Sequence, residues 1–377
     1  MPNFNIIKQS CPKKTFRVAN VCGTYDLQTE NICEQFSGSI DLPEKWNIGL
    51  IVGRSGTGKT TIAKELFSDK IYTCGENYTH ECLLDDFPAD AEMKDIYKAL
   101  VSVGFSSAPS WLKPYSVLSN GEKMRCDIAR ALIQYKDSCF VFDEFTSVVD
   151  RDVAKVTSYA VQKAIRRQDS QFIAVTCHHD VQQWLMPDWV FNTDEMKFSI
   201  LDVEEQKKNR PRFNIDIYET SNKEYYWTIF KKYHYLSHNF NKAARVFVCT
   251  CDGKIAGFCA VLPFPHPKLK NRWRGHRTVV LPDYQGVSIG SQFTSFIAEL
   301  FKKEGKVYIS TTSNPAMIFA RVNDKKWKTT RISRTSTGGE NSLIQNKHKK
   351  GSTSSNRITV AFEYIGEIDQ KTSSQDK

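Results

Sequence analysis

The chain has 377 residues, 40% of them hydrophobic and 25% charged, which is the length of two or three domains and the composition of a globular protein that needs no disulfide support. No run approaches the ~18 apolar residues of a membrane span. The opening Met1–Asn5 has neither the basic start nor the apolar core of a secretory leader, so the expected location is the cytoplasm, away from any membrane. The net charge of +10 is uneven, with residues 1–205 at −7 and residues 206–377 at +17. That asymmetry predicts a polyanionic partner for the second half.

In chain order, an apolar strand, Ile48–Val52, runs into Gly53-Arg54-Ser55-Gly56-Thr57-Gly58-Lys59-Thr60 and then a helical stretch from Thr61 to Phe67. Strand, glycine-rich turn and helix in this order form a P-loop. Backbone N–H groups of Gly53, Ser55, Gly56 and Gly58 and of the helix start, through Thr61, wrap the phosphates. Lys59 reaches the outer phosphate oxygens and Thr60 offers a hydroxyl to Mg²⁺. Farther on, Leu118-Ser119-Asn120-Gly121-Glu122 opens a helix to Gln134. The apolar strand Cys139–Phe142 then ends in Asp143 and Glu144. Asp143 is placed to hold the Mg²⁺ shell and Glu144 to orient or deprotonate an attacking water. Ser147–Asp150 follows, and the strand Phe172–Thr176 leads to Cys177-His178-His179-Asp180.

The order P-loop, Ser119–Gly121, Asp143–Glu144, Asp150, His179 resembles the ABC ATPases. The resemblance implies that Ser119 and Gly121 contact the nucleotide held by an opposing subunit, that Asp150 lies in the D-loop, that His179 is the switch histidine, and that Tyr25 stacks on adenine. It implies ATP and Mg²⁺ as cofactors and a homodimer of head-to-tail ATPase domains, closed by ATP and opened by hydrolysis. Two departures point away from transporters. Only 65 residues separate Gly53 from Leu118, and Asp85-Asp86 occupies roughly the region where a Q-loop glutamine is expected.

A polar stretch, Glu204–Pro211, suggests the boundary between an ATPase domain, 1–205, and a second α/β domain, 206–367. In the second, strands are expected over Val246–Thr250 and Ile255–Leu262. A helix is expected over Ile289–Lys303, with further strands at Lys306–Thr311 and Ile358–Tyr364. The chain has eleven cysteines, and the Cys249-x-Cys251 pair before Asp252-Gly253 suits a hairpin better than a metal site. Residues 331–357 are expected as a long mobile loop and 368–377 as a disordered tail.

Thr278–Leu281 followed by Pro282-Asp283-Tyr284-Gln285-Gly286-Val287-Ser288-Ile289-Gly290 resembles the pyrophosphate-binding motif of GNAT acetyltransferases. That resemblance implies an acetyl-CoA or other acyl-CoA site, with Gln285, Gly286, Val287, Ser288 and Gly290 contacting the cofactor. Ser288 stands where the family prefers glycine, which weakens affinity if its φ is positive. His234, His238 and Tyr284 are chemically able to move protons, and Asn314 follows a strand where the family often places a polar group. The whole chain is similar to a family in which an ABC-type ATPase precedes a GNAT-like domain.

The basic, aromatic-interleaved stretches Lys231–His238 and His266–Arg277, with Lys325–Lys328, suit phosphate contacts and base stacking. The expected function is therefore an ATPase dimer coupled to an acyl-CoA-dependent transferase acting on nucleic acid. The alternatives are an ATPase clamp on nucleic acid with an inactive GNAT-like docking domain, and an ATP-regulated acetyltransferase for protein or small amines.

Overall fold

The computed structural model describes residues 3–10, 13, 15–26, 32–136, 138–234, 240–265, 270–334 and 358–366. The chain forms two units, each built of α and β elements. The first comprises Met1–Tyr78, Phe87–Ala99 and Ser119–Pro211; the second comprises Thr79–Asp86, Leu100–Leu118 and Arg212–Lys377. The stretch expected to part the domains folds as a short helix, Val203–Lys208, and the first unit continues to Pro211.

The first unit starts with a ribbon of β1 (Asn3–Ser10) and, after helix α1 (Phe16–Tyr25), β2 (Ile32–Ser39). Next come β3 (Ile48–Val52), α2 (Lys59–Phe67) and β4 (Ile71–Tyr72). They are followed by α3 (Met93–Ser102), whose last residues belong to the second unit, by α4 (Ala108–Trp111) of the second unit, and, back in the first, by α5 (Asn120–Gln134) and β5 (Cys139–Phe142). The rest is α6 (Arg151–Gln168), β6 (Gln171–Thr176), α7 (Val181–Leu185), β7 (Trp189–Asn192), β8 (Lys197–Ile200) and α8 (Val203–Lys208).

Strands β4, β5, β6, β3, β7 and β8 lie side by side in that order, parallel except for β8. All five residues of β3 are buried, as an apolar run in a sheet covered on both faces requires. One strand, β6, separates the strand of the P-loop from the strand of the two acids. The loops carrying Gly53–Thr60, Asp143–Glu144 and His178–His179 thus leave the same end of a parallel sheet, where ligands of such sheets bind. Phe4 and Phe36 of the ribbon pack with Ile51, Ile62, Val141 and Phe191.

The second unit holds one seven-stranded sheet, ordered β14-β15-β13-β12-β11-β10-β9. Its strands are β9 (Ile215–Thr220), β10 (Arg245–Cys251), β11 (Lys254–Pro263), β12 (Arg272–Val280), β13 (Val307–Thr312), β14 (Trp327–Arg334) and β15 (Ile358–Tyr364). Its helices from this part of the chain are α9 (Lys223–Phe230), α10 (Ile289–Lys303) and α11 (Pro315–Val322). Asp252 and Gly253, with φ of 49° and 80°, make the tight turn between β10 and β11, so the two cysteines lie on a hairpin strand. Two sequence expectations change. Arg272–Arg277 belongs to β12, and Arg331–Arg334 ends β14 rather than opening a loop. Residues 335–357, the tail from 367, and His238 lie outside the described residues.

The β12–β13 pair positions the second site. It is the parallel pair of an otherwise antiparallel sheet, and its partners run only from Arg272↔Val307 to Arg274↔Ile309. The strands continue to Val280 and Thr312, so beyond Arg274 they diverge. That leaves a wedge of backbone groups with no ladder between them, and extended ligands pair in such gaps. Among the described residues, no helix is long and apolar enough to cross a membrane.

Candidate functional site

In the P-loop, Gly56 and Gly58 have φ of 86° and 84°, a region open to glycine at little cost. Gly58 is doubly constrained, because an added Cβ would lie 2.6 Å from the Phe36 ring. The positive-φ turn points successive N–H groups to one side, and α2 starts directly after it. This cradle fits a phosphate chain.

Lys59 is buried, and its Nζ donates to the Arg54 carbonyl at 2.7 Å, across the loop it closes. Ser55 is exposed, while Thr60 and Thr61 are half-buried in the first turn of α2, where Lys8 Nζ donates to Thr61 Oγ1. The loop is braced by Thr57 Oγ1, 2.6 Å from Thr193 Oγ1. Gly53 lies so close to Thr193 that a Cβ would meet its hydroxyl at 2.2 Å.

The two acids leave β5 in a turn. Asp143 is half-buried and Glu144 exposed, with the Glu144 N–H donating to Asp143 Oδ1 at 2.9 Å. Glu144 has φ of 55°, an uncommon conformation for a residue with a side chain and one that clusters at functional sites. His179 lies after β6, with Nε2 3.3 Å from Asp194 Oδ2. Asp194 also accepts the Arg54 backbone N–H at 3.0 Å, and these donors hold its carboxyl below the usual range. One carboxylate therefore links the histidine to the P-loop, a link that residue spacing could not show.

Ser119 caps α5: its hydroxyl accepts the Glu122 N–H, and the Glu122 carboxylate accepts the Ser119 N–H. Gly121 is buried inside the first turn. Asp150 caps α6, accepting N–H groups of Asp152 and Val153, each at 3.0 Å. The adjacent Arg151 pairs with Asp180, tying this turn to the His179 loop. Tyr25 ends α1 and is 71% exposed, so it is no core tyrosine and its ring is free to stack.

In the second unit, β12 leads through Pro282–Tyr284 into the turn Gln285–Ser288 and helix α10. Gly286 and Ser288 have φ of 87° and 69°. Val287 is buried and Gly290 half-buried within this turn and helix start. The unpaired N–H groups of the first turn of α10 face outward from the helix end, a setting that fits a pyrophosphate.

Gln285 is placed unexpectedly. Its Oε1 accepts the Ser106 N–H at 2.8 Å and its Nε2 donates to the Val280 carbonyl at 2.8 Å, so both ends of the amide are held by backbone. Ser288, in the left-handed region, makes no side-chain cap hydrogen bond, so its backbone has the positive φ that favours glycine. Ser288→Gly is expected to stabilise the protein by about 1 kcal/mol and to tighten acyl-CoA binding, as calorimetry of unfolding and of CoA titration would measure.

The wedge beyond Arg274 holds residues that motif reasoning did not select. A Cβ on Gly275 would lie 3.0 Å from the Tyr308 hydroxyl and 3.3 Å from Ser310 Oγ. Arg321 of α11 donates to Ser310 Oγ at 2.8 Å, and its guanidinium stacks on Trp327, 4.4 Å from the ring centre. Burial pushes the Tyr308 phenol up and the Arg321 guanidinium down.

His276 is the extra residue of a bulge: Ala260 pairs with Arg277 and Val261 with Gly275, leaving His276 opposite neither. Among the described residues its buried Nε2 has no hydrogen-bond partner, and its ring lies 6.3 Å from that of Phe240. Burial, then Arg277 and Arg274, lower its pKa to about 4. Bulges re-aim side chains next to active sites. Of the residues the sequence offered for proton transfer, His234 is buried against Trp227 and Tyr284 is buried. Asn314 accepts the Met317 N–H as cap of α11.

No curated protein matches the chain. Several solved structures resemble parts of it. A ribosomal-protein-S18-alanine N-acetyltransferase from Escherichia coli is 16% identical with a TM-score of 0.29, the match covering 42% of this chain and 98% of that one. A GNAT family acetyltransferase from Elizabethkingia anophelis with acetyl-CoA bound is 12% identical with a TM-score of 0.30, covering 40% and 97%. A dimeric bacterial ABC transporter cassette is 13% identical with a TM-score of 0.32, covering 42% and 87%. Residues 212–321 match the acetyltransferase (GNAT) family, and the second unit therefore carries a GNAT domain.

Proposed function

We propose that the protein couples ATP binding and hydrolysis in its first unit to acyl transfer from an acyl-CoA in its second, with nucleic acid as the acceptor. The observation that carries the transfer reading is the diverging β12–β13 pair leading into a left-handed turn at the start of α10. The wedge offers unladdered backbone to a pantetheine arm, and the helix start offers N–H groups to a pyrophosphate.

In this reading, the acceptor amine attacks the thioester carbonyl, its proton passes to His276 Nε2, and the C–S bond breaks. The departing CoA thiolate then takes that proton back, so that amide and free thiol are formed and the imidazole is restored.

In the first unit, Lys59 and the loop amides bind the phosphates, and Glu144 acts on the attacking water. Mg²⁺, when bound, neutralises phosphate charge, and the Thr60 hydroxyl and Asp143 carboxylate would hold it. The exposed Ser119 at the start of α5 would cap the nucleotide of a second, head-to-tail copy.

The nucleic-acid reading is supported by the +17 charge of residues 206–377 and by the outer strand β14, which exposes Lys328, Arg331 and Arg334. Labelled acetyl transfer from acetyl-CoA to DNA, RNA or bulk protein, with and without ATP, tests the whole. Label in nucleic acid, lost with Lys59→Ala, is the expected result, with binding that weakens steeply as salt rises. Label in protein alone, at any salt, rejects the acceptor.

A further inference from the structure

The Gln285 amide is gripped by a segment that belongs, in sequence, to the ATPase half. Residues Leu100–Leu118 are part of the second unit. Helix α3 ends there in a left-handed Gly104, with the Phe105 N–H returning to the Leu100 carbonyl at 2.8 Å. This is the closing pattern of a glycine-terminated helix.

The next residue but one, Ser106, gives its N–H to Gln285 Oε1. Gly104 itself presses on the same turn, since a Cβ there would lie 2.6 Å from the Gln285 carbonyl oxygen and 3.4 Å from Gly286 Cα. The segment has its own support: Leu100, Val103 and Phe105 are fully buried, and Trp111 Nε1 donates to the Phe105 carbonyl at 3.0 Å. Leu83 N–H bonds the Lys113 carbonyl at 3.0 Å. The segment ends at Leu118, and the next residue is Ser119, the cap of α5.

Resting on the acyl-CoA reading above, we propose that Gln285 is a positioning residue for the Gly286–Ser288 turn. Through Ser106 and Gly104 the segment Leu100–Leu118 makes acyl-CoA affinity depend on the nucleotide state of the ATPase half. The clamp fixes one edge of the turn at the Ser106 N–H and the other at the Val280 carbonyl. A shift of Ser106 relative to β12 must therefore break a hydrogen bond or turn the Gln285–Gly286 peptide, whose N–H would border the pyrophosphate position. The chain runs without interruption from Ser106 to Ser119, the residue expected to meet a partner's nucleotide. By linkage, acyl-CoA must change nucleotide affinity by the same factor as nucleotide changes acyl-CoA affinity.

The test is calorimetric titration of the intact chain with CoA, alone and in a saturating non-hydrolysable ATP analogue. For wild type, nucleotide is expected to change the CoA Kd by a factor of about 5 to 150. Ser106→Pro deletes the N–H, and Gly104→Asn keeps the left-handed backbone but inserts the clashing Cβ. Both are expected to bind each ligand alone while the nucleotide effect falls below about twofold, well under that range. Ser106→Ala keeps the N–H and is expected to retain the effect. A nucleotide effect surviving in both Ser106→Pro and Gly104→Asn overturns the proposal, as does wild type binding both ligands independently. Absence of CoA binding by the wild type would instead reject the acyl-CoA reading beneath it.

Discussion

In saturating ATP, a Glu144→Gln protein is expected to run as a dimer and to release phosphate about 10²- to 10⁴-fold more slowly than wild type. Size-exclusion chromatography with light scattering and a phosphate-release assay measure the two effects. The substitution removes a carboxylate that can take a proton and leaves an amide of the same shape, so the left-handed backbone at φ 55° is undisturbed. The P-loop is untouched, because Lys59 and the Gly56 and Gly58 amides sit on a different strand–helix junction, and ATP binding should persist. Binding without turnover then holds the closed state. Lys59→Ala is the contrasting case, since losing the cation buried in the loop should abolish nucleotide binding and leave the protein monomeric at any ATP concentration. A Glu144→Gln protein that stays monomeric would reject the head-to-tail arrangement of Ser119 and Lys59. One that hydrolyses ATP at the wild-type rate would reject Glu144 as the residue acting on water.

What the sequence shows in advance is what depends on neighbours in the chain. The P-loop is legible because strand, glycines, lysine and helix occupy one contiguous run, and α10 and β15 begin and end where their patterns predict. The features that fail to show depend on distant residues. Gln285 reads as a cofactor contact because nothing nearby hints that Ser106, 179 residues away, takes its side chain. The stretch His266–Arg277 reads as basic residues interleaved with aromatics, suited to phosphate contacts and base stacking, and its described part from Lys270 runs into β12. The period-two alternation of β12 is broken by the bulge at His276, a half-buried residue between Arg274 and Arg277. Arg321 is 3% exposed, which contradicts the prior that an arginine on a short helix faces water. It is retained by Ser310 and Trp327, a partnership visible only in three dimensions. The left-handed Ser288 is the converse case: the sequence poses the question of its φ, and the folded turn answers it at 69°.

Replacing His276 by asparagine is expected to lower the rate of acyl transfer by about 10²- to 10⁴-fold, with CoA affinity little changed because the substitution leaves both the β12 backbone offered to the pantetheine arm and the Gln285–Ser288 turn in place. Asparagine keeps a polar side chain at the bulge but cannot carry a proton between amine and thiolate. The pH dependence separates a proton-transfer role from a packing role. Burial and the two neighbouring arginines hold the imidazole neutral down to about pH 4, so the acid limb of the wild-type transfer rate should lie well below that of an ordinary histidine. The same depressed pKa sets the sign of the stability effect. Between the ordinary value, near 6.5, and about 4, the unfolded chain binds the proton and the folded one does not, so acidification across that window destabilises the fold. In His276→Asn that component of the acid sensitivity should disappear, giving a flatter stability curve from pH 6.5 to 4. Transfer that remains at the wild-type rate with a shifted stability curve would show that His276 is a buried structural group, and the acceptor's proton would then have to leave by another route.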